Sequence, residues 1–116
     1  MATRAAAGEG AGAKGAAAGR TGGAARFELP NDVTLGPDGA LYVTDYNRAV
    51  RKVTPSGVVT TYAGILGNDG TNDGPIASAR FLSLTASAFD AQGNLYVLDG
   101  GAHNIRKVLA DRSQVS

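Results

Sequence analysis

The sequence has no cysteine, a single histidine and almost no net charge, with 11 Lys and Arg against 10 Asp and Glu. Without cysteine no disulfide can brace the fold, and the chain says nothing about the redox compartment it works in. The near-neutral balance argues against an electrostatic footprint for nucleic acid or for an anionic membrane. No apolar run is long enough to cross a bilayer as a helix. The N-terminal stretch also lacks the apolar core of roughly 7–15 residues that a secretory signal needs. His103, the lone histidine, has no Cys, Ser or second His in a recognisable arrangement around it. It is read as a turn residue rather than a base or a metal ligand.

What is present is unevenly distributed. Residues 1–25 are nearly all Ala and Gly with scattered Arg, Lys and Thr, whereas residues 26–109 hold every aromatic side chain and nearly all the branched aliphatics. Only the second part can build a core, and a core that small only just offsets the entropy of ordering the chain. Frequent Gly breaks the helix that Ala would favour. Residues 1–25 are therefore expected to be a disordered low-complexity tail, with order beginning near Arg26-Phe27. Their Ala- and Arg-rich, acid-poor composition loosely fits an organellar transit segment as well.

The core region repeats. Gly39-Ala40-Leu41-Tyr42-Val43-Thr44-Asp45 returns 54 residues later as Gly93-Asn94-Leu95-Tyr96-Val97-Leu98-Asp99. A turn glycine, a run of strand formers and a closing Asp, occurring twice at one spacing, mark a repeated structural unit. On the first copy Leu41 and Val43 face one way, and Tyr42 and Thr44 the other. On the second the faces are Leu95 with Val97 and Tyr96 with Leu98. Both faces are largely apolar, so each strand needs cover on both sides.

Taken in order, Leu29-Pro30-Asn31-Asp32 reads as a turn into a strand at Val33–Leu35. Pro37-Asp38-Gly39 turns into a strand over 40–45. A third strand spans Ala49–Thr54, and Pro55-Ser56-Gly57 turns into a fourth, β-branched strand over Val58–Ala63. A long connector from Gly64 to Ala79 precedes a second cycle, with strands over 85–90, 94–98 and 104–109. The segment Ala110 to Ser116 is a poor match to the fourth strand of the first cycle, so the unit is expected about one and three-quarter times. The predicted division is a tail (1–25), a first blade with its connector (26–79) and a truncated second blade (80–116).

Ala25-Arg26-Phe27, Gly-x-Leu-Tyr-Val-x-Asp, the run Val50-Arg51-Lys52-Val53-Thr54-Pro55-x-Gly57-Val58-Val59-Thr60-Thr61-Tyr62-Ala63-Gly64, Asp73-Gly74, Ala79-Arg80-Phe81 and His103-Asn104-Ile105-Arg106-Lys107-Val108 together resemble NHL repeats. The resemblance implies four-stranded antiparallel β-propeller blades, usually six to a ring. It implies binding of proteins or RNA or a scaffold role, with some relatives acting as metal-dependent lyases or hydrolases. The sequence departs from the family pattern after the second strand, where Asp45-Tyr46-Asn47-Arg48 is one residue shorter than Asp99-Gly100-Gly101-Ala102-His103.

Few residues suggest chemistry. Asp45 and Asp99 could face a channel and help hold a cation, but Asp at a strand end usually accepts N–H bonds from the turn. In the connector, Asp69, Thr71 and Asp73 mimic a calcium loop until its closing acid would fall at Arg80. Phe27, Phe81, Phe89, Tyr42 and Tyr96 are expected to pack between blades. Arg51-Lys52 and Arg106-Lys107 recur at matched points. They either form a basic stripe for a phosphate or acidic partner, or pair each Arg with an inter-blade carboxylate and leave each Lys in water. Tyr46, on a turn without an aromatic counterpart, is a candidate partner contact beside those four.

The expectation is thus an all-β chain of two NHL-type blades, the second incomplete, behind a disordered tail. It has no catalytic, cofactor or metal set. The anticipated role is a non-catalytic interaction or scaffold module, either a piece of a longer propeller or a partial propeller that completes itself by homo-oligomerisation. An RNA-binding propeller and a metal-dependent hydrolase or lyase fragment are the alternatives.

Overall fold

The computed structural model of the chain describes residues 6–7, 20–21, 26–27, 30–45, 48–65 and 69–116. Among these residues the fold is all β, with no helix. The first sheet contains β4 (Pro30–Leu35), β5 (Leu41–Asp45), β6 (Ala49–Val53) and β7 (Val58–Gly64), a simple antiparallel meander. The second repeats it with β9 (Leu84–Phe89), β10 (Leu95–Asp99), β11 (Asn104–Val108) and β12 (Gln114–Val115). β1 (Ala6–Ala7) pairs with β3 (Arg26–Phe27) in a short parallel ladder of its own.

Each meander has a fifth, outermost strand drawn from the chain that leads into it. β2 (Arg20–Thr21) lies on β7, and β8 (Gly74–Pro75) lies on β12. These two additions are themselves 54 residues apart. The repeat therefore reaches back past Arg26, where order was expected to begin, into the Ala/Gly stretch. The physical reason is that an outer strand pairs through its backbone, so it needs an extended segment and no particular side chains. Apart from β1 and β2, residues 1–25, expected to be disordered, lie outside the described residues.

The second blade is short at its outer edge, as expected, but it does have a fourth strand. β12 is a two-residue stub, held by a Lys107 N–H bond to the Ser116 carbonyl at 2.7 Å and a Ser116 N–H bond to the Lys107 carbonyl at 2.9 Å. The turn before it differs from its counterpart in blade one by an extra residue. Gly57, at φ 93°, donates to the Thr54 carbonyl; Arg112, at φ 61°, donates in the same way to Leu109. A left-handed backbone is natural for Gly57 and strained for Arg112. Asn31 and Asp32, read from the sequence as a turn, belong to β4.

The core lies between the blades. Tyr42, Val50, Tyr62 and Ala63 of the first sheet meet Phe81 of the connector and Leu84, Leu95, Val97, Val108 and Val115 of the second sheet, all buried. Full burial of such side chains contributes about 1.5–3 kcal/mol each. Tyr42 is central to this layer, with its ring edge-on to Phe89 at 4.7 Å and to Tyr62 at 4.9 Å. Three polar contacts fix the angle between the sheets. The Asn31 side-chain amide donates to the Leu84 carbonyl at 2.7 Å, Asp32 accepts from the Ser87 N–H at 3.0 Å, and Arg112 Nε donates to the Tyr62 carbonyl at 3.1 Å.

Candidate functional site

The carboxylates and guanidiniums that looked reactive in the sequence are occupied in building the blade. Asp99 is fully buried at the end of β10 and accepts from the N–H groups of Leu82, Ser83 and Ala102 at 2.9, 2.8 and 3.3 Å. It ties the connector to the turn that follows it. Arg106, 2% exposed, enters from β11 between the same segments. It pairs with Asp73 at 2.7 Å and Asp99 at 3.5 Å, and donates to the carbonyls of Asn72 and Arg80. Its guanidinium also lies 5.1 Å from the centre of the Phe81 ring. A buried arginine with this many acceptors is a structural rivet, since leaving any of its N–H groups dry and unpaired would be costly.

The first blade places the same residue types at the matching positions. Asp45 and Arg51 are both fully buried. Burial pushes the Arg51 guanidinium below its ordinary pKa, and the nearby Asp45 charge opposes that shift.

The four basic residues consequently do not line up as a surface stripe. Arg51 and Arg106 are inside, and strand alternation turns Lys52 and Lys107 to the opposite faces. Each lysine lies over a tyrosine of its own blade, Lys52 over Tyr42 and Lys107 over Tyr96, both at 5.8 Å. Lys52 is further held by Asp38 at 3.0 Å, and Asp38 accepts from the Tyr42 hydroxyl at 2.8 Å. Burial alone would raise the Asp38 pKa; the bonds from Lys52, Tyr42 and the Ala40 N–H outweigh it and bring it down to about 2. Tyr42 moves the other way, raised by burial and by the Asp38 charge. In blade two Asp90 takes over the task from a different turn position, accepting from the Tyr96 hydroxyl at 3.0 Å. Tyr46 lies outside the described residues. His103 is an exposed turn residue at φ 60°. Among the described residues no three His, Cys, Asp or Glu side chains gather as a metal site.

What remains for recognition is the pair of outer faces. Val33, Leu35 and Leu41 of blade one are 56, 66 and 38% exposed, and Leu98 and Ile105 of blade two are 42 and 66% exposed. Cross-strand register places Val33, Leu35 and Leu41 together with Val43 on the side of blade one turned away from blade two. It places Leu98 and Ile105 with Tyr96 on the side of blade two turned away from blade one. Three of these five exposed positions are fully buried in the other copy. Leu95, the counterpart of Leu41, is fully buried; so are Thr44 and Val50, the counterparts of Leu98 and Ile105. Alternation and the repeat signalled apolar strands on both faces. They did not show which face of which copy stays open, because that depends on the side each blade turns to its neighbour.

Two stacked, edge-capped meanders with a buried Arg and a buried Asp at matching positions in each are the geometry of consecutive propeller blades. The family profile of the teneurin NHL domain matches residues 7–113. The chain belongs to this NHL family. The match begins well before Arg26, in keeping with the strand at Arg20–Thr21. Among solved structures, the NHL chain is similar to a protein of Bacteroides thetaiotaomicron VPI-5482 provisionally described as a phosphatase. The identity is 33% and the TM-score 0.69, over 81% of this chain and 24% of that one. It is similar as well to a protein of unknown function from the same organism, at 30% identity and TM-score 0.64, over 68% of this chain and 20% of the other. The NHL chain thus spans about a quarter or less of the length of these two proteins. No curated protein matches it.

Proposed function

We propose that this NHL chain is a non-catalytic interaction module that acts by offering its end blades to further blades or to a protein partner. The observation that carries this reading is the pair of open apolar faces. Val33, Leu35 and Leu41 stand at one end and Leu98 and Ile105 at the other, and the repeat counterparts of Leu41, Leu98 and Ile105 are fully buried. Aliphatic residues grouped on a sheet face and left in water mark a surface that is covered in use. The polar residues best suited to chemistry, Asp99 and Arg106, are already committed to holding turns.

The test is turnover. The full chain, incubated with a generic phosphate ester such as p-nitrophenyl phosphate, with and without added divalent metals, is expected to release no product above buffer. Saturable hydrolysis that co-purifies with the chain would overturn the reading and favour a hydrolase propeller. Binding of single-stranded RNA that weakens with salt and with neutralisation of Lys52 and Lys107 would favour the RNA reading instead.

A further inference from the structure

The two open faces are the two halves of one contact. Blade one meets blade two through the side bearing Asp32, Tyr42, Thr44 and Val50, and the side of blade two that it covers bears Ser87, Phe89, Leu95 and Val97. By the same register, the open side of blade two is a second version of the first half, bearing Ala86, Tyr96, Leu98 and Ile105. The open side of blade one is a second version of the other half, bearing Val33, Leu35, Leu41 and Val43.

Building on the interaction-module reading, we propose that the occupant of these faces is a second copy of this chain, docked head to tail. Tyr96, Leu98 and Ile105 of one copy then sit on Val33, Leu35 and Leu41 of the next. The differences between the internal contact and its two open halves support this occupant. Inside, Asp32 accepts from the Ser87 N–H at 3.0 Å, and the hydroxyls of Thr44 and Ser87 are buried with no hydrogen-bond partner among the described residues. At the open ends Asp32 is replaced by Ala86 and Thr44 by Leu98 on one half, and Ser87 by Val33 on the other. Both halves have thus become apolar at facing positions, while Tyr96 still stands where Tyr42 does and Leu35 where Phe89 does. A face meant for water gains nothing from Leu in place of Thr. Each open half is therefore apolar where the other is apolar, and both halves belong to the same molecule. A contact of this kind is heterologous, so it repeats from copy to copy until the ring closes, or else extends as a fibre.

The experiment is mass measurement by light scattering on the full 116-residue chain over a wide concentration series. Masses above the 11.7 kDa monomer, rising with concentration, are expected. Ile105→Glu disables one half and Leu35→Glu the other. Both sites are more than half exposed, so circular dichroism should show the β fold retained. Each variant alone is expected to be monomeric. An equimolar mixture is expected to form a 1:1 dimer and nothing larger, because only one good contact remains between them; misfolded chains could not give that recovery. A folded wild-type chain that stays monomeric throughout overturns the proposal, as does self-association of either variant alone or a mixture that fails to dimerise. None of these results bears on turnover, so failure here and failure of the interaction-module reading are told apart.

Discussion

Arg106 and Asp99 lie 3.5 Å apart with almost no exposure to solvent, at 2% and 0%. The pair links β10 and β11 to the connector that precedes blade two, because Arg106 reaches Asp73, Asn72 and Arg80 while Asp99 takes the N–H groups of Leu82 and Ser83. Removing Arg106 leaves the buried Asp99 charge without its cationic partner, held by backbone N–H groups alone.

Arg106→Ala is therefore expected to cost about 3–5 kcal/mol. Against a total stability of about 5–15 kcal/mol for an ordinary domain, that leaves little. Loss of the cooperative urea transition would be the readout. Arg106→Lys keeps the charge but not the planar fork, and should fall between the two. If Arg106→Ala unfolds at the wild-type midpoint, the rivet is not holding the blade.

The blade interface contains an opposite case. Thr44 Oγ1 and Ser87 Oγ are buried and have no hydrogen-bond partner among the described residues. Burying an unsatisfied hydroxyl costs about 1–3 kcal/mol. Thr44→Val and Ser87→Ala should each raise the melting temperature, by several degrees if about 1 kcal/mol is recovered in a domain of this size. Calorimetry decides it; a lowered melting temperature for both would mean that the hydroxyls are satisfied in solution.

Asp38 should make stability depend on acid. Its folded pKa is depressed to about 2 from an ordinary 3.8, by Lys52, Tyr42 and the Ala40 N–H acting against burial. A depressed carboxylate stabilises the fold above its unfolded pKa, and that contribution is lost as pH falls through the folded one. Wild type is thus expected to melt above Asp38→Asn at neutral pH, with the gap closing between about pH 4 and pH 2. A gap that is constant across this range would mean that the carboxylate charge does not stabilise the fold.

Much of the fold was legible because it rests on local patterns that occur twice. Gly39 and Gly93 sit at the same turn with φ 84° and 88°, and the strands after them alternate as Leu-x-Val against Tyr-x-Thr or Tyr-x-Leu. The seven main strands fall within about a residue of their expected ends, apart from β4, which starts earlier at Pro30. Of the candidate contacts, Lys52 and Lys107 keep accessible side chains, while Arg51 and Arg106 do not. Adjacent residues on a strand face opposite ways, so an Arg-Lys pair in sequence is never a pair on one surface.

Residues that act across the blades carried no such signal. Asn31 and Asp32 looked like a turn and Arg112 like part of a failed strand, yet their partners, Leu84, Ser87 and Tyr62, are 53, 55 and 50 positions away. The outer strand at Arg20–Thr21 was hidden for another reason, since backbone pairing leaves no composition to read.

The sequence by itself determined the repeat unit, its antiparallel strands and the apolar character of both blade faces, because period-two alternation and turn glycines act locally. Only the tertiary structure decided which copy of each face is covered. Stacking one blade on the next buries Leu95 and leaves its counterpart Leu41 exposed, and buries Thr44 while leaving Leu98 in water. Matching positions of one repeat are thus divided into core and open surface by the order in which the two sheets stack.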